Sequence, residues 1–305
     1  MKKMQVVVKV PAKINLSLKV GPLGDDGFHP LETVFQAIDL YDEITATTAK
    51  GLSLSIEGEA AEELGTGSDN LAWKAAALLA RQAGINPDVH LHIKKKIPIA
   101  GGLAGGSANA AGTLVACDAL WRLDTERDEL LKLASQLGAD VSFALLGGIA
   151  LGHGRGEKLT SMLNRGEFHW VLAVSSTGLS TPEVYRVFDM LNPEAETPRV
   201  DPRLAQALAS GDINLASEYF SNDLQAAALK MRPVLKRILS AGVDAGAVQA
   251  ILSGSGPTCA FLARNQEHAF HIAGELQASG VVERTILATG PAKGAHVVSR
   301  EQIFH

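Results

Sequence analysis

The feature that most constrains this chain is the stretch Lys96–Ala111, KIPIAGGLAGGSANAA, where a strand-like approach runs through Gly101, Gly102, Gly105 and Gly106 into an alanine-rich helix. A tight strand-to-helix turn could be built with fewer glycines. Glycine loses more conformational freedom on folding than any other residue, so four within six positions need a further reason. Close backbone approach to an anion supplies one. Glycines let N–H groups reach a ligand, and the first N–H groups of the following helix have no partner inside it. The dipole of an exposed helix end contributes only about 0.3–1 kcal/mol, so directed N–H bonds must do most of the binding. Pro98, Ala100, Gly101, Gly102, Leu103, Ala104, Gly105, Gly106, Ser107 and Ala108 are the candidate phosphate-contacting residues. Ser107 and Asn109 add polar groups for phosphate or its cation. The loop lacks the Lys-Ser/Thr ending of a Walker A loop, and Ala104 breaks the GxGxxG spacing. By itself it indicates a phosphate or nucleotide rather than a reaction.

With 305 residues, the chain exceeds the usual size of a single core, which predicts two domains sharing a cleft. Gln5–Val10, Leu52–Glu57 and Val89–Lys95 read as strands, the last alternating Val89, Leu91 and Ile93 with His90, His92 and Lys94. Asp69 or Asn70 caps a helix running to Gln82, and Thr125 with Asp128 resembles a capping box for a helix ended by Gly138. The apolar run Val141–Leu151 is too short for a membrane span and reads as a buried strand or helix. After Gly166 a new pattern starts: strand Phe168–Val174, then a helix opened by Thr181-Pro182-Glu183. Helices fill Pro202–Ala241, followed by strands at Val248–Leu252 and Cys259–Ala263, a helix at Gln266–Ala278, and strands near Thr285–Ala288 and His296–Ser299. The expected class is α+β, divided into residues 1–165 and 166–305, the second with helices on an antiparallel sheet.

Lys and Arg number 28 against 33 Asp and Glu, a net charge of −5 that argues against nucleic acid as a partner. Cys117 and Cys259 match no metal or redox spacing and read as buried thiols in a reducing cytoplasm. No apolar segment is long enough for a membrane helix, and Lys9 and Pro11 interrupt the N-terminal apolar run before a signal-peptide core forms.

Three segments in order carry a more specific signal: Pro11-Ala12-Lys13-Ile14-Asn15-Leu16, the glycine loop, and Leu252-Ser253-Gly254-Ser255-Gly256-Pro257-Thr258. The trio resembles the three motifs of the GHMP kinases. Asp26-Gly27-Phe28-His29-Pro30-Leu31 and Leu137-Gly138-Ala139-Asp140-Val141 are similar in particular to the diphosphocytidyl-methylerythritol kinases. The resemblance implies an N-terminal domain like domain two of ribosomal protein S5 and a ferredoxin-like C-terminal GHMP domain. It implies ATP with Mg²⁺ carried on its phosphates near Ser107, and a small-molecule acceptor, a cytidine diphosphate-linked methylerythritol phosphorylated on its tertiary 2-hydroxyl. It also implies the site. Asp140 is the candidate base, Lys13 its partner, and Asn15, Phe28, His29, Phe35 and Asp140 the acceptor contacts.

The residues suit those roles. An aspartate beside an alcohol can take its proton, and a nearby ammonium keeps it ionised and stabilises phosphoryl charge. A lysine after a strand is otherwise usually solvated, and an aspartate after Gly-Ala often only caps a helix. Phe28 can stack on a pyrimidine, with Phe35 completing a sandwich and His29 bonding the base edge. Relatives often have Tyr at Phe28 and Pro at Ser142, and the present glycine loop is richer in alanine. His90 and His92 lack a third ligand and read as a solvated strand face, and Lys94–Lys96 as a solvated strand end. Another acceptor, homoserine, mevalonate or a sugar, would keep the kinase fold without using the Gly27-Phe28-His29 loop. An RNA- or nucleotide-binding module on the S5-like fold would have no use for Lys13 with Asp140.

Overall fold

The structure, a computed structural model, describes residues 3–99 and 101–303, so Ala100 of the glycine loop lies outside the described residues. The first half runs β1 (Lys3–Val20), β2 (Leu31–Thr48), β3 (Leu52–Gly58), α1 (Leu71–Ala83), β4 (Val89–Lys95), α2 (Gly105–Trp121), α3 (Arg127–Leu137), α4 (Ala139–Leu146), β5 (Ile149–Gly154) and β6 (Lys158–Ser161). The second half runs β7 (Phe168–Val174), α5 (Thr181–Leu191), α6 (Pro202–Ser210), α7 (Ile213–Ser217), β8 (Ser221–Asn222), α8 (Gln225–Met231), α9 (Val234–Asp244), β9 (Gln249–Leu252), β10 (Cys259–Ala263), α10 (Gln266–Ala278), β11 (Arg284–Gly290) and β12 (His296–Ile303). The α+β class expected from the sequence holds.

The first sheet orders β12-β1-β2-β4-β3, with β5 and β6 continuing from β2 and β8 pairing with β1. The second is antiparallel in the order β11-β7-β10-β9. Position 165/166 falls between β6 and β7, where the chain passes from one sheet to the other. Its last strand goes back, pairing antiparallel with β1.

Strand β1 is far longer than the Gln5–Val10 run suggested, because residues that break its apolar pattern are themselves buried. Val6, Val8, Val10, Ala12, Ile14 and Leu16 enter the core, while Lys13, Asn15 and Ser17 are buried at the intervening positions. A strand turns successive side chains to opposite faces, so those three polar groups share the face away from that apolar row. Strand β2 pairs with this whole stretch, Lys13 opposite Ala37 and Asn15 opposite Phe35, with register shifts at Pro11/Ala12 and Asn15/Ser17.

Helix ends follow local chemistry in most places. Asn70 caps α1 by accepting from Ala72 N–H at 2.9 Å, and Gly84 closes it in the left-handed conformation. The capping box expected at Thr125 does not form. Helix α3 begins after Glu126 without a side-chain cap, and Thr125 N–H donates instead to Asp118 Oδ1 at 3.0 Å. The Val141–Leu151 run resolves into buried helix α4, the pair Gly147-Gly148, and the start of β5. Both cysteines are free and buried, and burial pushes the Cys259 thiol up to about 12. Among the described residues no helix is long and apolar enough to cross a membrane.

Candidate active site

The three glycine- and lysine-bearing segments, remote in sequence, meet backbone to backbone. Lys13 N–H donates to Leu103 O at 3.3 Å, and Thr258 N–H to Gly101 O at 3.3 Å. Ser253 Oγ donates to Gly102 O at 2.9 Å. Gly102 has φ 76°, and a Cβ there would lie 2.0 Å from Ser253 O, so only glycine fits this crossing. In the loop Gly102 takes a positive φ, and so does Ala104, at φ 60° as the N-cap of α2. The N–H groups of Gly105, Gly106 and Ser107 have no partner among the described residues.

A cavity of about 510 Å³ lies over these N–H groups, lined also by Lys13, Asn15, Phe35, Pro98 and Asp140. Leu103 and Ala108 do not line it; both are fully buried in the core. Lys13 Nζ lies 3.9 Å from Asp140 Oδ2 and donates to Asn15 Oδ1 at 2.8 Å. Asn15 Nδ2 donates onward to Thr33 Oγ1 at 2.9 Å, which orients the amide. The ammonium also stands 5.7 Å from the centre of the Phe35 ring, within cation–π range. Burial holds the Lys13 amine below its usual range, opposed by the Asp140 charge, which favours the protonated form. Asp140, in the first turn of α4, keeps about a third of its side chain exposed, open to a ligand entering the cavity.

Two sequence readings change here. Lys95 is not a solvated strand end: its ammonium is fully buried 2.5 Å from Asp42 Oδ2 and donates to Asn109 Oδ1 at 3.1 Å. Asn109 is therefore committed to this cluster, donating to Asp42 Oδ2 at 2.7 Å, and does not line the cavity. Asp42 Oδ1 accepts the Lys96 and Ile97 N–H groups at 2.7 and 2.8 Å, so one buried carboxylate ties the end of β4 to α2 on either side of the glycine loop. No local signal marks Asp42, because its partners lie more than 50 positions away in the chain.

A second cavity, about 910 Å³, adjoins the first and is lined by Phe28, His29, Gly138, Arg155, Tyr185 and Asp189. Leu31, Ala139, Arg155, Thr181 and Tyr185 line both. His29 is buried, its Nδ1 2.8 Å from Gly21 O. A carbonyl can only accept, so Nδ1 carries the proton and Nε2 offers a lone pair when the ring is neutral. Nε2 lies 3.5 Å from Asp189 Oδ1. Phe28 is half exposed, with the Arg155 guanidinium over its ring at 3.5 Å. Phe35 does not complete a sandwich with Phe28: it lines the first cavity and stacks on the buried Phe143 behind it, centroids 4.8 Å apart. The aromatic beside His29 is Tyr185, centroids 5.0 Å apart, its phenol pushed up to about 12 by burial and then by the Asp140 charge. Tyr185 escaped the sequence reading because a tyrosine in an amphipathic helix has no distinctive spacing. His90 and His92 share hydrogen bonds with Ser53 and Ser55 on the sheet face.

Family models for the GHMP kinases N terminal domain and the GHMP kinases C terminal match residues 70–148 and 204–282. A curated protein of Mycolicibacterium smegmatis named 4-diphosphocytidyl-2-C-methyl-D-erythritol kinase is 52% identical, over 96% of this chain and 92% of its own length. Proteins of the same name from Thermobifida fusca and Rhodococcus jostii are 50% and 49% identical over 96% of this chain, and 98% and 95% of their own lengths.

The chain belongs to the GHMP kinases.

Within them it falls in the family of 4-diphosphocytidyl-2-C-methyl-D-erythritol kinases. A crystal structure of 4-(cytidine 5'-diphospho)-2C-methyl-D-erythritol kinase superposes at a TM-score of 0.73, with 31% identity over 92% of this chain and 98% of that one. Homoserine kinase from Cytophaga hutchinsonii superposes at 0.75 with 19% identity over 96% and 97%, which extends the likeness of fold but not of acceptor. In this GHMP kinase the match to the N-terminal family model takes in α1, the glycine loop and Asp140, while Lys13 and His29 precede it.

Proposed function

We propose that this GHMP kinase transfers the γ-phosphoryl group of ATP to the 2-hydroxyl of 4-diphosphocytidyl-2-C-methyl-D-erythritol, a step toward isoprenoid precursors. The carrying observation is identity near 50% to three curated kinases of that name over almost the whole chain. The polyphosphate lies along the N–H groups at the start of α2, and the acceptor alcohol enters between Asp140 and the loop. Asp140 Oδ2 takes the hydroxyl proton as the oxygen–γ-phosphorus bond forms and the bond to the ADP oxygen breaks. Lys13, held by Asn15 and Phe35 and 3.9 Å from Asp140, neutralises charge on the transferring group. The cytidine end occupies the second cavity beside His29 and Tyr185.

A magnesium ion suits this donor set as a passenger of the nucleotide. No cluster of three His, Cys, Asp or Glu able to hold a metal occurs among the described residues, while the Ser107 hydroxyl and the Asp140 carboxylate both line the cavity. Ser107 would hold the ion against the phosphates, and the ion would supply charge neutralisation there. The protein works in the cytoplasm on this reading.

The test is ADP release over a panel of acceptors, including homoserine, mevalonate and the cytidine- and uridine-linked methylerythritol diphosphates. Turnover only with the cytidine compound is expected, and preference for homoserine or mevalonate would overturn the reading. Asp140→Asn keeps the shape and loses the proton acceptor, so turnover should fall about 10²- to 10⁴-fold with ATP affinity nearly unchanged. Full activity in that variant would remove Asp140 as the base.

A further inference from the structure

Arg155 stands at the junction of the two cavities and has no role in the reaction as described so far. It lies between β5 and β6 in the turn Gly154-Arg155-Gly156-Glu157, and it is the one positively charged residue lining both spaces among the described residues. Lys13, in the first cavity, is committed to Asn15 and Asp140. Arg186, in the second, is held along α5 by Glu183. Arg155 is also placed in advance. Its backbone N–H donates to Glu157 Oε2 at 2.7 Å, its Nη2 donates to Asp26 Oδ2 at 2.9 Å, and its guanidinium carbon lies 3.5 Å from the centre of the Phe28 ring. Asp26 fixes both partners of that stack, since its other oxygen accepts the Phe28 N–H at 3.1 Å. The guanidinium has five N–H donors, and only Nη2 is engaged among the described residues, which leaves Nε and Nη1 free.

An acceptor whose base lies in one cavity and whose reacting alcohol lies in the other must carry its linking group across this junction. We infer that Arg155 binds the diphosphate bridge of the acceptor, so that the site reads the anionic linker of a nucleoside diphosphate ester as well as its two ends. The inference rests on the proposed acceptor. A planar fork of donors matches phosphate oxygens in pairs, and such charge-assisted bonds are about twice as strong as neutral ones. Stacking on Phe28 holds the fork without using its donors, so little side-chain freedom is lost on binding. Because Arg155 is half exposed, its contribution should weaken as salt is raised.

The test is calorimetric titration of cytidine, cytidine monophosphate and cytidine diphosphate into the full chain and into Arg155→Met and Arg155→Lys. Methionine retains an apolar surface against Phe28 and removes the charge. In the unmodified protein affinity should rise from cytidine to the diphosphate. Arg155→Met should lose that gain, about ten- to a hundredfold, with cytidine affinity unchanged, and Arg155→Lys should recover part of it. In turnover, Arg155→Met should raise the acceptor KM and leave kcat and the KM for ATP as they were. A gain that persists in Arg155→Met would overturn the proposal. So would equal weakening of all three ligands, since Arg155 would then act only by holding Phe28. If the unmodified protein binds neither cytidine nor its diphosphate, the cytidine acceptor itself is wrong, and this inference falls with it.

Discussion

A primary amine enclosed as Lys13 is must give up most of its hydration, and only a few contacts repay it. Asp140 stands 3.9 Å away, Asn15 accepts one hydrogen bond, and the Phe35 ring lies 5.7 Å off. Burial outweighs the Asp140 charge and lowers the pKa, so below that pKa the folded chain holds a poorly solvated ammonium that the unfolded chain carries at no cost. Removing the amine removes that penalty. Lys13→Met should therefore melt higher than the unmodified protein near pH 7 while losing about 10²- to 10³-fold in kcat, the size of effect seen when one oxyanion-stabilising donor is deleted. A lower melting temperature would show that the amine contributes net stability. For the same reason the alkaline limb of kcat/KM should fall below the ordinary lysine value of 10.5, measured as a pH–rate profile. His29 makes a different kind of test. With Nδ1 bound to Gly21 O, a neutral ring can accept at Nε2 from the amino group of cytosine but not from the carbonyl that uracil presents there. His29→Ala should raise the acceptor KM and bring cytidine and uridine analogues closer by about ten- to a hundredfold, with the KM for ATP unchanged. Unaltered base preference would move the cytosine edge elsewhere.

Among the elements, the glycine loop and its helix were legible because glycine, alanine and the helix start are local chemistry, and α1, β4, β10 and α10 followed from caps and periodicity for the same reason. Strand β1 was legible only in its first half. Past Val10 it carries Lys13, Asn15 and Ser17, residues that read as a strand's end yet are buried, Lys13 and Asn15 against Gly254 of the third motif and Ser17 against Ser221. Lys95 failed in the same way: nothing near it in the chain announces Asp42. That buried pair, closed by Asn109 and two backbone N–H groups, fixes both ends of a loop whose glycines would otherwise leave it loose. The crossing with the third motif fixes its middle. Gly102→Ala puts a Cβ 2.0 Å from a backbone oxygen at a positive φ, and neither strand of chain can yield without displacing the other. The expected outcome is loss of measurable ATP binding by titration, with circular dichroism retained. Normal ATP affinity would show that the Gly102–Ser253 contact does not set the phosphate cradle.

At the scale of the molecule, residues 1–165 and 166–305 read as two domains, yet their surfaces are joined more deeply than a cleft requires. The largest apolar cluster combines Val6, Val8, Ile14 and Leu114 from the first half with Phe168, Trp170, Leu172 and Leu262 from the second. Strand β12 leaves the second half to pair with β1, and β8 pairs with β1 at Ser17 and Leu18. Polar groups cross as well: buried Trp170 Nε1 donates to Gln36 Oε1 at 2.7 Å, and at the surface the Asp39 carboxylate accepts from both N–H and hydroxyl of Thr289. Interfaces between independent domains are usually modest and relatively polar. Here opening either half alone would expose the apolar faces of both sheets and strip β1 of two neighbours. The two halves should therefore unfold together, in a single calorimetric peak whose van't Hoff and calorimetric enthalpies agree. A nucleotide bound between them should raise that one peak as a whole, by about 2.7 kcal/mol at a hundredfold excess over its Kd. Two resolved transitions, with only the first moved by ATP, would show that the shared core does not couple the halves and that the cleft is free to open as a hinge between separately stable bodies.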